Sequence, residues 1–182
     1  MLKFGRNFLK MIKPIVLYGE EILRKPTLPY KVGIDLSETI QDLFDTMYNA
    51  KGAGLAGPQI NLSERIFVVD PPYVDFKRVF INPTILTYTG KAMAMSEGCL
   101  SVPNIEGEVV RASTIWIEWY DEKWEYHKEE FEGIKSRVIQ HEYDHLDGIL
   151  WMDRIDPGQG IKLIKDLKNI SERNIEVTYP FI

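Results

Sequence analysis

The stretch Gly133-Ile134-Lys135-Ser136-Arg137-Val138-Ile139-Gln140-His141-Glu142-Tyr143-Asp144-His145-Leu146-Asp147-Gly148 decides how the rest of the chain is read. It opens on a glycine, reads as a helix from about Ile134 to Leu146, and meets Gly148, which suits a left-handed cap. The four-residue separation of His141 and His145 puts both rings on one helix face, with Glu142 between them. The chain's single cysteine, Cys99, lies upstream in Glu97-Gly98-Cys99-Leu100-Ser101, on what reads as extended chain. One thiolate and two imidazoles make a three-ligand metal site whose fourth position stays open for water, the mark of a catalytic centre. Glu142 is a ready general base for that water, so the residues point to a metallohydrolase.

Around this centre the chain is organised as one domain. Its 182 residues and 45% hydrophobic content suit a single substantial core, residues 1–182, with 1–11 as an N-terminal extension. Lys3, Arg6, Lys10 and Lys13 sit among apolar residues there, but the apolar run is too short for a signal-peptide core. A net charge of −5 without a basic stripe argues against nucleic acid as a direct partner. One cysteine excludes an intramolecular disulfide, making a reducing, cytoplasmic setting the default. No run is long enough to span a membrane, so a soluble protein is expected.

The periodicities predict an α+β fold: short, mostly antiparallel strands around a central helix carrying the H-E-x-x-H motif, plus a C-terminal helix. Asp35 and Glu38 have the spacing of a capping box before a helix from about Leu36 to Ala50. Arg65 to Val69, Val79 to Asn82, Ile85 to Tyr88, Thr114 to Tyr120 and Trp124 to Glu132 read as strands. Ile115, Ile117 and Trp119 share one face of the fourth. After Asp156-Pro157-Gly158, the residues Ile161, Ile164, Leu167 and Ile170 predict an amphipathic last helix.

Each motif has a plainer reading. A bare H-E-x-x-H can be a solvated helix face, and a lone cysteine is most often a small buried hydrophobe. Cys99 could instead be a nucleophile with a histidine base, but that leaves Glu142 and one histidine without a role. A general metallopeptidase would take a downstream acid such as Glu172 as third ligand, ignoring Cys99. A third reading is a non-enzyme that keeps the metal as a binding or structural module. Gly52-Ala53-Gly54-Leu55-Ala56-Gly57-Pro58-Gln59 matches no phosphate loop; its glycines let a substrate backbone approach. Gln59 offers an amide donor for a developing oxyanion, a role that has been worth roughly 3 kcal/mol elsewhere.

Taken together, Gly52 to Gln59, Glu97 to Ser101 and Gln140 to Gly148 resemble, in order and spacing, the three motifs of the peptide deformylases, G-x-G-L-A-A-P-Q, E-G-C-L-S and Q-H-E-x-D-H-L-x-G. The similarity runs from about Ile12 to Asp156 and includes Glu21-Ile22-Leu23-Arg24 and Phe44-Asp45-Thr46-Met47-Tyr48. The resemblance implies removal of the formyl group from the N-terminal formylmethionine of nascent peptides, releasing formate, with ribosome proximity. It implies Cys99, His141 and His145 as ligands of one divalent metal per chain, Fe2+ in cells, with Zn2+ or Ni2+ accepted. Glu142 would be the acid and base, and Gln59 with the Leu100 amide would hold the oxyanion. Gly54 and Gly98 would pair with the substrate as an added strand. Leu100, Val138 and the His141 ring would line the methionine pocket, with Arg137 near its mouth. Arg111 would pair with Glu97 to orient the cysteine loop. Two positions depart from the pattern. Gly57 replaces an alanine, a change expected to loosen the loop slightly, and Glu106 stands near where many members carry a basic residue, with a solvent-facing role favoured.

Overall fold

The computed structural model describes residues 11–182; most of the expected N-terminal extension therefore lies outside the described residues. Its elements, in chain order, are α1 (Ser37–Asn49), β1 (Gly54–Ala56), β2 (Ile66–Val69), β3 (Arg78–Cys99), β4 (Val102–Tyr120), β5 (Tyr126–Glu132), α2 (Gly133–Leu146) and α3 (Pro157–Ser171). The strands form one antiparallel sheet in the order β1-β2-β3-β4-β5, which gives the expected α+β architecture.

The run Ile66-Phe67-Val68-Val69 shows why the sheet is covered on both faces. A continuous apolar run sends alternate side chains to opposite sides, so neither face can be left to water. Phe67 and Val69 pack toward α2 with Phe80, Ile117, Val138, Ile139 and Leu146. Ile66 and Val68 pack toward α1 with Leu43, Phe44 and Met47. Phe67 stacks on Phe80 with ring centroids 4.6 Å apart. A third cluster, with Ile15, Leu17, Val102, Val109, Trp151 and Ile170, joins the hairpin to both ends of the described chain.

Four sequence expectations are refined. The runs Val79–Asn82 and Ile85–Tyr88 belong to the single 22-residue β3. Pro83, which separates the two runs and would ordinarily end a strand, falls at a register shift between Ile81 and Thr84, where a strand tolerates a residue lacking an N–H. Trp124, expected to begin the fifth strand, takes φ +62° in the turn before it. Leu36 is the N-cap of α1, while Asp35 Oδ1 accepts from the Ser37 N–H at 3.0 Å and from its hydroxyl; the capping box is not formed there. In α3, Leu163, Leu167 and Ile170 face inward, whereas Ile161 and Ile164 are 68% and 63% exposed. The inward stripe is shifted because the segment after α3 returns to cover it.

The end of α2 is fixed as its sequence suggests. The Gly148 N–H bonds His145 O at 3.3 Å and the Ile149 N–H bonds Asp144 O at 2.9 Å, the paired closure of a Schellman motif. Gly148 takes φ +73°, and a Cβ there would lie 2.7 Å from the Arg24 carbonyl. This stop holds the last turn of α2, and with it His145, against the sheet.

Candidate metal centre

Two elements deliver the three donors. The β3–β4 turn carries Cys99, and successive turns of α2 carry His141 and His145. One donor atom from each residue lies within 4.8 Å of the others. Cys99 Sγ is 3.2 Å from His145 Nε2, and the two imidazole rings are 5.2 Å apart. The His141 Nδ1 bonds Glu97 Oε2 at 2.9 Å, which leaves Nε2 for the centre. A carboxylate behind a ligating imidazole is the usual way to fix its ring and tautomer. A soft thiolate with two imidazoles suits a divalent transition metal, and the donors present therefore fit the group the motif calls for.

Glu142 lies beside them, 3% exposed, and its Oε2 has no hydrogen-bond partner among the described residues. Burial pushes its pKa up to about 7, where a carboxyl both takes and gives a proton near neutrality. His145 is driven the other way, well below its usual value, by burial and then by the charge of His141. Neutral imidazole is the form that binds a metal. Gln59 is buried: its Oε1 accepts from the Ala56 N–H at 2.8 Å, and its Nε2 lies 3.2 Å from Ser101 Oγ and 3.5 Å from Cys99 Sγ. The amide is thus oriented with its donor end toward the centre.

Behind the three candidate donors lies a buried ionic cluster. Glu97 accepts from Arg111 Nε at 2.7 Å and Nη2 at 2.8 Å, and from Arg137 Nη1 at 2.7 Å. Arg111 Nη1 also bonds Asp144 Oδ2 at 2.7 Å, and Arg154 Nε reaches the same oxygen at 2.5 Å. Burial alone would raise the Glu97 pKa; the Arg111 hydrogen bonds and then the His141 ring overcome it and hold the carboxyl well below the usual range. The Glu97–Arg111 pair was expected. Asp144 and Arg154 were not, although Asp144 stands inside the H-E-Y-D-H run, where its i+2 position from Glu142 aims it away from that residue.

The centre opens into a cleft of about 980 Å³ whose walls include Gly54, Gln59, Gly98, Leu100, Arg137 and Val138. The Arg137 guanidinium is engaged by Glu97, the Val109 carbonyl at 2.9 Å and the Met93 carbonyl, so its stem faces the cleft rather than a free charge. Glu106 is exposed, pairs across the hairpin with Gly98 and accepts from Ser96 Oγ at 2.9 Å. A Cβ at Gly57 would lie 2.9 Å from the Glu64 carbonyl. The glycine that departs from the motif is therefore buried at a tight contact rather than loosening the loop. Glu172 is exposed and pairs with Lys168 at 3.7 Å, apart from the centre, which removes the acid that a metallopeptidase reading required. His127 bonds Asp121 at 2.8 Å and stacks on Trp119. No helix among the described residues is long and apolar enough to cross a membrane.

Comparison with known proteins agrees with this geometry. Residues 12–160 match the family model described as polypeptide deformylase. The peptide deformylase of Christiangramia forsetii is 43% identical over 185 residues, covering 93% of this chain and 94% of that protein. That of Chlorobaculum tepidum is 46% identical over 177 residues, with 93% and 94% covered. The crystal structure of peptide deformylase from Thermus thermophilus superposes with a TM-score of 0.83 at 37% identity, covering 90% of this chain and 100% of that one. The enzyme from Thermotoga maritima gives 0.77 at 39%, covering 81% and 99%. With the motif residues gathered in one cleft, the chain belongs to the polypeptide deformylase family, hydrolases that remove the formyl group from peptides.

Proposed function

We propose that this chain deformylates the N-terminal formylmethionine of newly made proteins through a divalent metal held by Cys99, His141 and His145, with Glu142 as proton carrier. The observation that carries this reading is the meeting of a thiol, two imidazoles and a buried carboxylate with an unpartnered oxygen beside one cleft. When bound, the metal supplies Lewis acidity that activates water and polarises a carbonyl.

The chain's own residues do the rest. Glu142 takes the proton of the attacking water as the new C–O bond forms, then delivers it to the amine as the C–N bond breaks. The products are formate and a free N-terminal methionine. Gln59 Nε2 and the Leu100 N–H stabilise the oxygen that gains charge, as preorganised donors do best in a buried site. Leu100, Val138, the His141 ring and the Arg137 stem take the methionine side chain. β1 is an edge strand, and β3 beyond Ile81 has no β2 partner. A substrate backbone can therefore enter as an added strand between Gly54 and Gly98. Ferrous iron is the proposed metal in the cell, with Zn2+ and Ni2+ suited to the same donors. The proposed setting is the cytoplasm, near the ribosome, with nascent formylated chains as partners.

Gly54 makes this reading sensitive to one atom. A Cβ at that position would lie 2.7 Å from both Cγ and Cδ of Glu142, so the carboxylate must move. Gly54→Ala is expected to lower kcat on the order of a hundredfold with Tm little changed, because a displacement near 1 Å at reacting groups costs that much. Unaltered turnover would mean that Glu142 is not held where the reaction needs it.

The reading as a whole is tested by anaerobic purification, metal analysis and formate release from a formyl-Met tripeptide on one sample. Chelation should abolish release, and added Fe2+ should restore it. A metal-loaded protein that releases no formate, or that cuts unformylated internal peptide bonds, would sink the proposal.

A further inference from the structure

The family match ends at residue 160, yet the segment after α3 returns to the cleft. The Ile15 N–H bonds Pro180 O at 2.8 Å, the Leu17 N–H bonds Ile182 O at 3.0 Å, and the Ile182 N–H bonds Ile15 O at 3.0 Å. Ile175, Tyr179 and Phe181 pack on Ile15, Leu17 and Val102, and Asn104 Nδ2 donates to the Glu176 carbonyl at 3.1 Å. Docked in this way, Glu176 to Tyr179 form one wall of the cleft.

From that wall the Tyr179 hydroxyl donates to the Leu100 carbonyl at 2.7 Å. Leu100 lies at the tip of the β3–β4 hairpin, between Cys99 and Ser101. Two other elements hold the same tip: the Tyr18 N–H bonds the Ser101 carbonyl at 2.8 Å, and Gln59 Nε2 bonds Ser101 Oγ at 3.2 Å. Those two bonds fix Ser101. The bond from Tyr179 anchors the peptide oxygen of Leu100, and a peptide plane held at its oxygen resists rocking about the dihedrals on either side. The Leu100 N–H belongs to the preceding plane, joined to this one at the Leu100 Cα, so a carbonyl held in place restrains that Cα and narrows the directions the N–H can take.

We propose that Tyr179 is a positioning residue for deformylation: by holding the Leu100 carbonyl, its hydroxyl aims the Leu100 N–H at the oxygen that gains charge. The inference rests on the deformylase reading of the cleft. It gives the segment after α3, which the family match does not reach, a part in setting kcat.

Tyr179→Phe keeps the ring and removes only the hydroxyl. Outright loss of one oxyanion donor costs 10²- to 10³-fold, so a misdirected one is expected to cost about tenfold in kcat. KM should stay within about twofold, since the interaction matters only in the transition state. Metal content should equal that of the wild type. In substrate-free, zinc-loaded protein the Leu100 amide resonance should shift in this variant. Tyr179→Leu, which also removes part of the wall, should in addition raise KM. Wild-type kcat with an unmoved Leu100 amide in Tyr179→Phe would overturn the proposal, as would a loss of kcat that merely follows a loss of metal. A wild-type protein that releases no formate would overturn the deformylase reading alone, because the amide resonance decides the clamp without substrate.

Discussion

Glu142→Gln is expected to retain its metal and to lose about a thousandfold in kcat, in line with the 10²- to 10⁴-fold that a positioned acid and base contributes. Glutamine keeps the shape of the side chain and cannot take a proton from water. Because Glu142 is buried and burial disfavours its ionised form, a neutral amide there should not lower Tm. Metal analysis, formate release and a thermal scan on one preparation check all three statements. Turnover at the wild-type rate would remove Glu142 from the reaction and leave the metal and the oxyanion donors to account for catalysis.

Arg111→Met is expected to be the most destabilising of the substitutions considered. Its side chain is 2% exposed and serves two buried carboxylates, Glu97 and Asp144, at 2.7 Å each. Breaking a buried pair by removing one partner costs about 3–5 kcal/mol, because the charge left behind has lost its solvent and its counter-ion. Here each carboxylate keeps a guanidinium, Arg137 for Glu97 and Arg154 for Asp144, so the lower end is expected. For a chain of this size, about 3 kcal/mol lowers Tm by roughly 6–12 °C. Glu97 also orients His141, so metal affinity should fall about 10- to 100-fold. The pair between Arg24 and Asp153, 39% exposed on both sides, serves as the contrast, since its loss should cost under about 1 kcal/mol. Equal Tm shifts for Arg111→Met and Arg24→Met would mean that the inner cluster is hydrated after all.

What was legible in the sequence follows from which interactions are local. The α2 reading rests on spacing within one helix and on Gly148 just beyond it, and both are properties of neighbouring residues. Cys99 joined the site through a motif rather than through periodicity, since extended chain says nothing about what lies beside it. Pro83 misled because its usual effect, ending a strand, is suspended where a register shift leaves its missing N–H unneeded. Ile161 and Ile164 misled because helical spacing gives a stripe and not its orientation. The returning segment with Ile175, Tyr179 and Phe181 decides which stripe is covered. Tyr179 itself carried no signal, since its partner is a backbone carbonyl 79 residues away and any residue could supply one.

During synthesis, the hairpin tip leaves the ribosome well before α2. His145 follows Cys99 by 46 residues, which at roughly 5–20 residues per second is on the order of a few seconds. Over that interval Cys99 is without the imidazoles that would complete the proposed donor set. A thiolate open to solvent is the form that oxidants attack first, since susceptibility follows thiolate character and exposure. The distance along the chain between hairpin tip and helix therefore sets how long the thiol of each new molecule stands open to oxidants before the proposed donor set is complete.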